Sequence, residues 1–131
     1  MKLQTATRLG LYAILELARD PARTLSSGEL AERFGVSTHS LAKVLGTLSA
    51  AGLVQGGRGA SGGYRFTGNR RRITLMDIVS LFEPAPGNRA PEPGEETEIG
   101  SALQRVLTEI DEIAEATLRS VSLETMLRRP N

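Results

Sequence analysis

The chain has 131 residues, 40% of them apolar and 4% aromatic, with a formal net charge of +1. That length suits one domain with an appendage, and the composition is that of a globular protein whose core rests on Leu, Ile, Val and Ala. There is no cysteine and one histidine, His39; this excludes a disulfide framework, a thiol nucleophile and any thiolate-held metal or iron–sulfur site, so no cofactor is expected.

Charge divides the chain. Residues 1–72 carry 11 Lys+Arg against 4 Asp+Glu, a balance of +7, and residues 73–131 carry 5 against 11, a balance of −6. A basic half points to an anionic partner. The opening "MKLQTATRLGLYAILELARD" has the Lys2 and the apolar run of a weak leader, but Glu16 and Arg19 interrupt it and no cleavage pattern follows. No stretch approaches the roughly 20 apolar residues of a membrane span. A cytoplasmic protein without a membrane partner is expected.

Residues 4–20 read as a helix, with Leu11, Ile14, Leu15 and Ala18 on one face and Pro21 past its end. In "LSSGELAERFG", Ser26 with Glu29 fits a capping box and Leu25 with Leu30 a hydrophobic staple, so a short helix runs to about Phe34 and stops at Gly35. "VSTHSLAKVLGTLSAAG" then offers Ser37 as N-cap, Val36 as a staple for Leu41, a buried stripe of Leu41, Val44, Leu45 and Leu48, and Gly52 as the stop. Two short helices about a glycine turn, with small Ala31 at their crossing, make a helix-turn-helix; an ordinary helical hairpin has the same pattern.

"GGRGASGGYRF", residues 56–66, contains G-x-G-x-x-G at Gly57, Gly59 and Gly62. A dinucleotide site needs a helix directly after these glycines and an acid at the end of a second strand. Here "GYRFTGNRRRIT" alternates like a strand, and Glu83, 21 residues after Gly62, follows the helical "TLMDIVSLFE". The segment is therefore a β-hairpin, "GLVQGG" up and "GYRFTG" down, with Arg58 near its tip. A hairpin after a helix-turn-helix is a wing; an incidental surface hairpin is the plainer alternative, and the +7 balance speaks against it. Tyr64 is expected to pack within the wing. Arg70, Arg71 and Arg72 suit either a solvated turn or phosphate contact.

Thr74 with Asp77 forms a second capping-box pattern, with Ile73 and Ile78 as its staple, for a helix to about Phe82. Residues 83–98, "EPAPGNRAPEPGEETE", read as a loop or disordered linker. From Ile99 to Val121, Leu103, Val106, Ile110, Ile113 and Thr117 are spaced 3-4-3-4 as a coiled-coil-like seam, while Leu107, Ala114, Leu118 and Val121 line an adjacent face. Two apolar faces predict packing on the chain's own domain and on a second copy; one broad face buried in a monomer is the alternative. "LETMLRR" adds a last short helix.

Taken together, "YAILELA", "GELAERFGVSTHSLAKVLGTLSAAGLV", "RGASGGYRF" and "ITLMDIVSLFE" resemble the Rrf2 family of bacterial transcription regulators, over residues 2–83 in the family's order. The resemblance implies a homodimeric, mainly α fold with a small β-hairpin wing. A winged helix-turn-helix DNA-binding domain (1–72) would precede a linker helix, an acidic Pro-rich loop and a long dimerisation helix (73–131) that crosses to the partner. It also implies a palindromic double-stranded DNA operator, with the recognition helix in the major groove and the wing arginine, Arg58, in the minor groove. Many members of the family hold an iron–sulfur cluster on cysteines in the loop after "DIV"; this chain has none. It also has Ala42 where the family often has an acidic residue, and Ser40 where it often has an aromatic.

The leading expectation is thus a dimeric repressor without the cluster. Ser37, Thr38, His39, Ser40, Lys43 and Thr47 would supply donors to bases or phosphates, His39 being equally suited to a plain solvent-facing position. A winged-helix adaptor that senses through a partner protein is the second reading, and a gel shift separates the two. An enzyme is the third, and the chain offers little from which to build a site. A small-molecule or protein effector is compatible with either of the first two.

Overall fold

The computed structural model describes residues 2–56, 62–84 and 90–129. Among the described residues, six helices and two strands follow in the order α1 (Thr5–Arg19), α2 (Ser27–Phe34), α3 (Thr38–Ala50), β1 (Val54–Gly56), β2 (Tyr64–Phe66), α4 (Leu75–Phe82), α5 (Glu98–Ser120) and α6 (Leu123–Arg128). This is a winged helix-turn-helix followed by a long C-terminal helix.

The local signals work as the residue types dictate. Ser26 accepts the Glu29 amide at 3.0 Å while Glu29 accepts the Ser26 amide at 3.2 Å, and Thr74 and Asp77 repeat the exchange at α4. Each box satisfies two of the amides that a helix start leaves open. Gly35 ends α2 at φ 66° and Gly52 follows α3 at φ 78°, left-handed conformations that only glycine adopts at little cost.

α1 is the central element. It packs against α2, α3, α4, α6 and β2, so more of its circumference is covered than a single stripe predicts. Its buried residues are Thr7, Leu9, Gly10, Ala13, Ile14, Leu17 and Ala18, while the expected Leu11 and Leu15 are only partly buried. Leu30, Leu41, Leu45, Leu48, Ile78 and Leu123 complete the interior with no exposed surface, each such side chain stabilising the fold by about 1.5–3 kcal/mol.

β1 and β2 form an antiparallel pair with Val54 opposite Phe66, Gln55 opposite Arg65 and Gly56 opposite Tyr64. Leu25 adds an edge contact: its amide donates to the Tyr64 carbonyl at 2.9 Å and its carbonyl accepts the Tyr64 amide at 2.7 Å. The segment before α2 thereby anchors the wing to the helix-turn-helix. The chain after α5 returns to the start of α4, where the Leu75 amide donates to Val121 O and the Leu123 amide to Ile73 O, both at 2.9 Å.

Residues 92–97 form a loop, as expected, and local bonds hold it: the Glu92 amide donates to the Glu95 carboxylate at 2.8 Å, Thr97 Oγ1 donates to Gly94 O at 2.6 Å, and Thr97 caps α5 by accepting the Gly100 amide. The C-terminal half departs from expectation at α5, which does not bury a full second face on its own domain. None of its 23 residues is buried; Ala114 and Leu118 are half-buried, and Leu107 is exposed. Of that face Val121 is buried, and it lies just past the helix end.

Candidate nucleic-acid interface

α2 and α3 meet at the Gly35 turn, where the Val36 amide donates to Ala31 O at 3.0 Å. Ser37 caps α3, its hydroxyl accepting the Ser40 amide at 3.1 Å and donating to Ser40 Oγ at 2.8 Å. Leu41, Val44, Leu45 and Leu48 face the core. The opposite side of α3 therefore faces solvent, and Thr38, His39, Ala42, Lys43 and Gly46 are exposed along it.

The six residues expected to meet DNA fall on this one helix, but they are not equivalent. Thr38, His39 and Lys43 have no hydrogen-bond or ion-pair partner among the described side chains and are open to an incoming acceptor or donor. Ser37 is committed to the cap, and Thr47 donates its hydroxyl to Lys43 O at 3.3 Å. Ser40 accepts from Ser37 and keeps its own hydroxyl hydrogen for another partner. Arg58 lies outside the described residues.

The wing stands beside this helix, with β1 packed on α3. The chain from Tyr64 continues as a strand rather than as the helix that a dinucleotide site requires; Gly57 and Gly59 lie outside the described residues. Gly63 instead lets the backbone of Leu25 approach, since a Cβ there would stand 3.1 Å from the Leu25 carbonyl carbon. Tyr64 lies half-buried in the wing, as expected. Sequence reading passed over Arg65, which is exposed on β2 with its guanidinium 2.9 Å from Gln55 Oε1. The alternation in "YRF", with Phe66 buried, is the signal that points it outward.

The basic balance of the first half is partly internal. Arg19, Arg23 and Arg33 converge on Glu16 at 3.2, 3.2 and 2.8 Å. Arg70 pairs with Glu124 at 2.6 Å and donates to Ala18 O at 3.0 Å, which makes it a tie between α1 and α6. Arg71 and Arg72 are exposed, so phosphate contact is open to them, whereas Arg70 is held by Glu124 and Ala18.

On α5, Leu103, Val106, Ile110 and Ile113 are 51–67% exposed and Thr117 is exposed beside them. A cavity of about 480 Å³ lies on the polar side of the same helix, lined by Glu95, Gln104, Arg105 and Glu109 among others. Among the described residues no helix is long and apolar enough to cross a membrane, and no group of His, Cys, Asp and Glu is arranged to hold a metal.

Residues 3–129 match the Rrf2 family model, described as an iron-dependent transcriptional regulator. A protein of Rhodopseudomonas palustris named as the HTH-type transcriptional regulator BadM is 47% identical over 128 residues, 98% of this chain and 82% of that protein. The structure of CymR, the global cysteine regulator of B. subtilis, superposes with a TM-score of 0.79 at 28% identity, covering 100% of this chain and 99% of that one. IscR of T. potens superposes with a TM-score of 0.76 at 29% identity, covering 98% and 87%. The iron in the family description does not fit the donors of this chain as a thiolate-held cluster. Cysteine is absent throughout, and the one histidine lies exposed on α3.

Proposed function

This chain belongs to the Rrf2 family of transcriptional regulators, and from that premise we propose that it binds a palindromic DNA operator as a homodimer and represses transcription, without catalytic activity of its own. The observation that carries the reading is the outward face of α3. Thr38, His39 and Lys43 stand exposed and unpaired there, next to a wing and opposite a fully buried stripe. α3 enters the major groove, where Thr38, His39, Ser40 and Lys43 meet base edges or phosphates and the amide end of the helix, capped by Ser37, faces phosphate. Arg58 enters the minor groove. Phosphate contacts by Lys43, Arg65, Arg71 and Arg72 supply affinity that falls steeply with salt.

The exposed seam of Leu103, Val106, Ile110, Ile113 and Thr117 supports pairing through α5, since apolar side chains left in water on one helix face favour burial against a second copy. With no thiolates to hold a cluster, the signal reaches the protein through a different effector, a small molecule or a partner protein, in the cytoplasm.

Selection of bound DNA from a random pool, repeated with cell extract, tests the proposal. The expected result is a two-fold symmetric sequence with half-sites about one helical turn apart. Arg58→Ala should weaken binding to it by about 1–3 kcal/mol with an unchanged melting temperature. Recovery of no preferred sequence in either condition would overturn the reading in favour of a protein-binding adaptor.

A further inference from the structure

Resting on the reading of α3 as the helix that meets DNA, we infer that Gly46 is the point of closest approach between protein and duplex, and that the missing side chain there sets how deeply α3 seats in the major groove. Glycine inside a helix is destabilising relative to alanine, because it loses more backbone freedom on folding. Such a residue needs a reason, and most of the described glycines elsewhere have one in the fold. Gly35, Gly52 and Gly94 take positive φ. Gly10, Gly56, Gly63, Gly68 and Gly100 would each place a Cβ within 3.1 Å of a neighbour. Gly28 stands in the first turn of α2, beside its cap.

Gly46 has no such reason. It is helical, lies in the interior of α3, and has nothing within 4 Å of the position a Cβ would take. The monomer would accept alanine there and gain stability. Its open side is the side turned away from the core. At 3.6 residues per turn, Gly46 lies opposite the buried Leu41, Val44, Leu45 and Leu48 and on the same face as the exposed Lys43 and His39, about one and two turns earlier. A bare backbone at this point lets the groove wall come into contact with Cα, where weak C–H···O contacts form. It also carries His39 and Lys43 further in towards the base edges. A side chain at 46 would hold the helix off and shorten the reach of both.

The full chain is compared as wild type, Gly46→Ala, Gly46→Leu and Lys43→Ala, by thermal unfolding and by affinity for the selected operator at fixed salt. Gly46→Ala should unfold a few degrees higher than the wild type while binding the operator at least about fivefold more weakly, and Gly46→Leu should bind more weakly still. A structural glycine would move both readouts downwards, so a lowered melting temperature for Gly46→Ala overturns the inference. Gly46→Ala and Gly46→Leu binding as tightly as the wild type overturn it too; if Lys43→Ala loses affinity at the same time, the DNA-binding reading stands without it. A wild type that selects no DNA overturns both.

Discussion

Thr7, wholly buried in α1, donates its hydroxyl to the carboxylate of Glu83, the residue that follows α4. The same Glu83 oxygen accepts the Gln4 amide at 3.1 Å. α1 has no side-chain cap of its own, so a carboxylate from a distant part of the chain meets one of its open N-terminal amides, where negative charge is favoured. Phe82, one residue earlier, covers Gly10 so closely that a Cβ there would stand 2.4 Å from its ring. The end of α4 is thus fastened to the start of α1, and the loop that follows Glu83 begins from a fixed point.

Thr7→Val keeps the shape of the side chain and removes the donor. It should destabilise the fold by about 1–3 kcal/mol, because the half-buried Glu83 carboxylate loses one of its partners and the buried Thr7 its bond to a charged group. Glu83→Gln, which keeps an acceptor, should cost less. Urea midpoints measure both, and a Thr7→Val midpoint equal to that of the wild type would show that the bond contributes nothing.

The arginines after the wing separate by role. Arg70→Ala removes the 2.6 Å pair with Glu124 and the bond to Ala18 O, and the mutant should unfold more easily while its DNA affinity keeps the wild-type salt dependence. Arg71→Ala and Arg72→Ala should leave stability within about 0.5 kcal/mol and lower the slope of log affinity against log salt by about 1 each. The reverse assignment of effects would show that Arg70 is the phosphate contact.

The winged helix is legible in the sequence because its boundaries are set by neighbours. Ser26 with Glu29, Thr74 with Asp77, Ser37 and Gly35 each act on amides and carbonyls within a few residues, so spacing alone reveals them. The roles of Arg70 and Glu83 are not legible, because their partners, Ala18 with Glu124 and Gln4 with Thr7, are brought to them only by the tertiary fold. The extra burial around α1 has the same cause: periodicity reports one face, whereas five other elements pack around this helix. Within the candidate interface, spacing placed the six polar residues on one helix. It could not say that Thr47 would be taken up by that helix itself, nor that the space before Gly46 would be open.

The family description and the donor set of this chain disagree over iron, and the disagreement can be measured. The irons of such a cluster need thiolate ligands, and no cysteine exists here to supply them. Protein prepared without oxygen should therefore contain no acid-labile sulfide, and its operator affinity should not change on treatment with an iron chelator. Stoichiometric iron and sulfide in such a preparation would show that other residues hold a cluster.

Ile110 is 51% exposed in the middle of the α5 seam, between Val106 and Ile113. In a symmetric pairing of two α5 helices, the centre of the seam meets its own copy or near neighbours of it. Ile110→Glu would place a carboxylate there, against apolar side chains and close to its symmetry mate, at a cost of several kcal/mol for an unpaired buried charge. The folded monomer should tolerate the change, because α5 has no buried residue in the single chain. The variant should keep the wild-type helical content and yet sediment as a monomer at micromolar concentration. Its operator affinity should fall much further than loss of a single contact predicts, because two half-sites about 34–36 Å apart are no longer held by one particle. Thr117→Glu, at the end of the seam, should weaken the dimer less. A wild type that sediments as a monomer, or an Ile110→Glu variant that remains a dimer, would show that α5 is not the pairing surface.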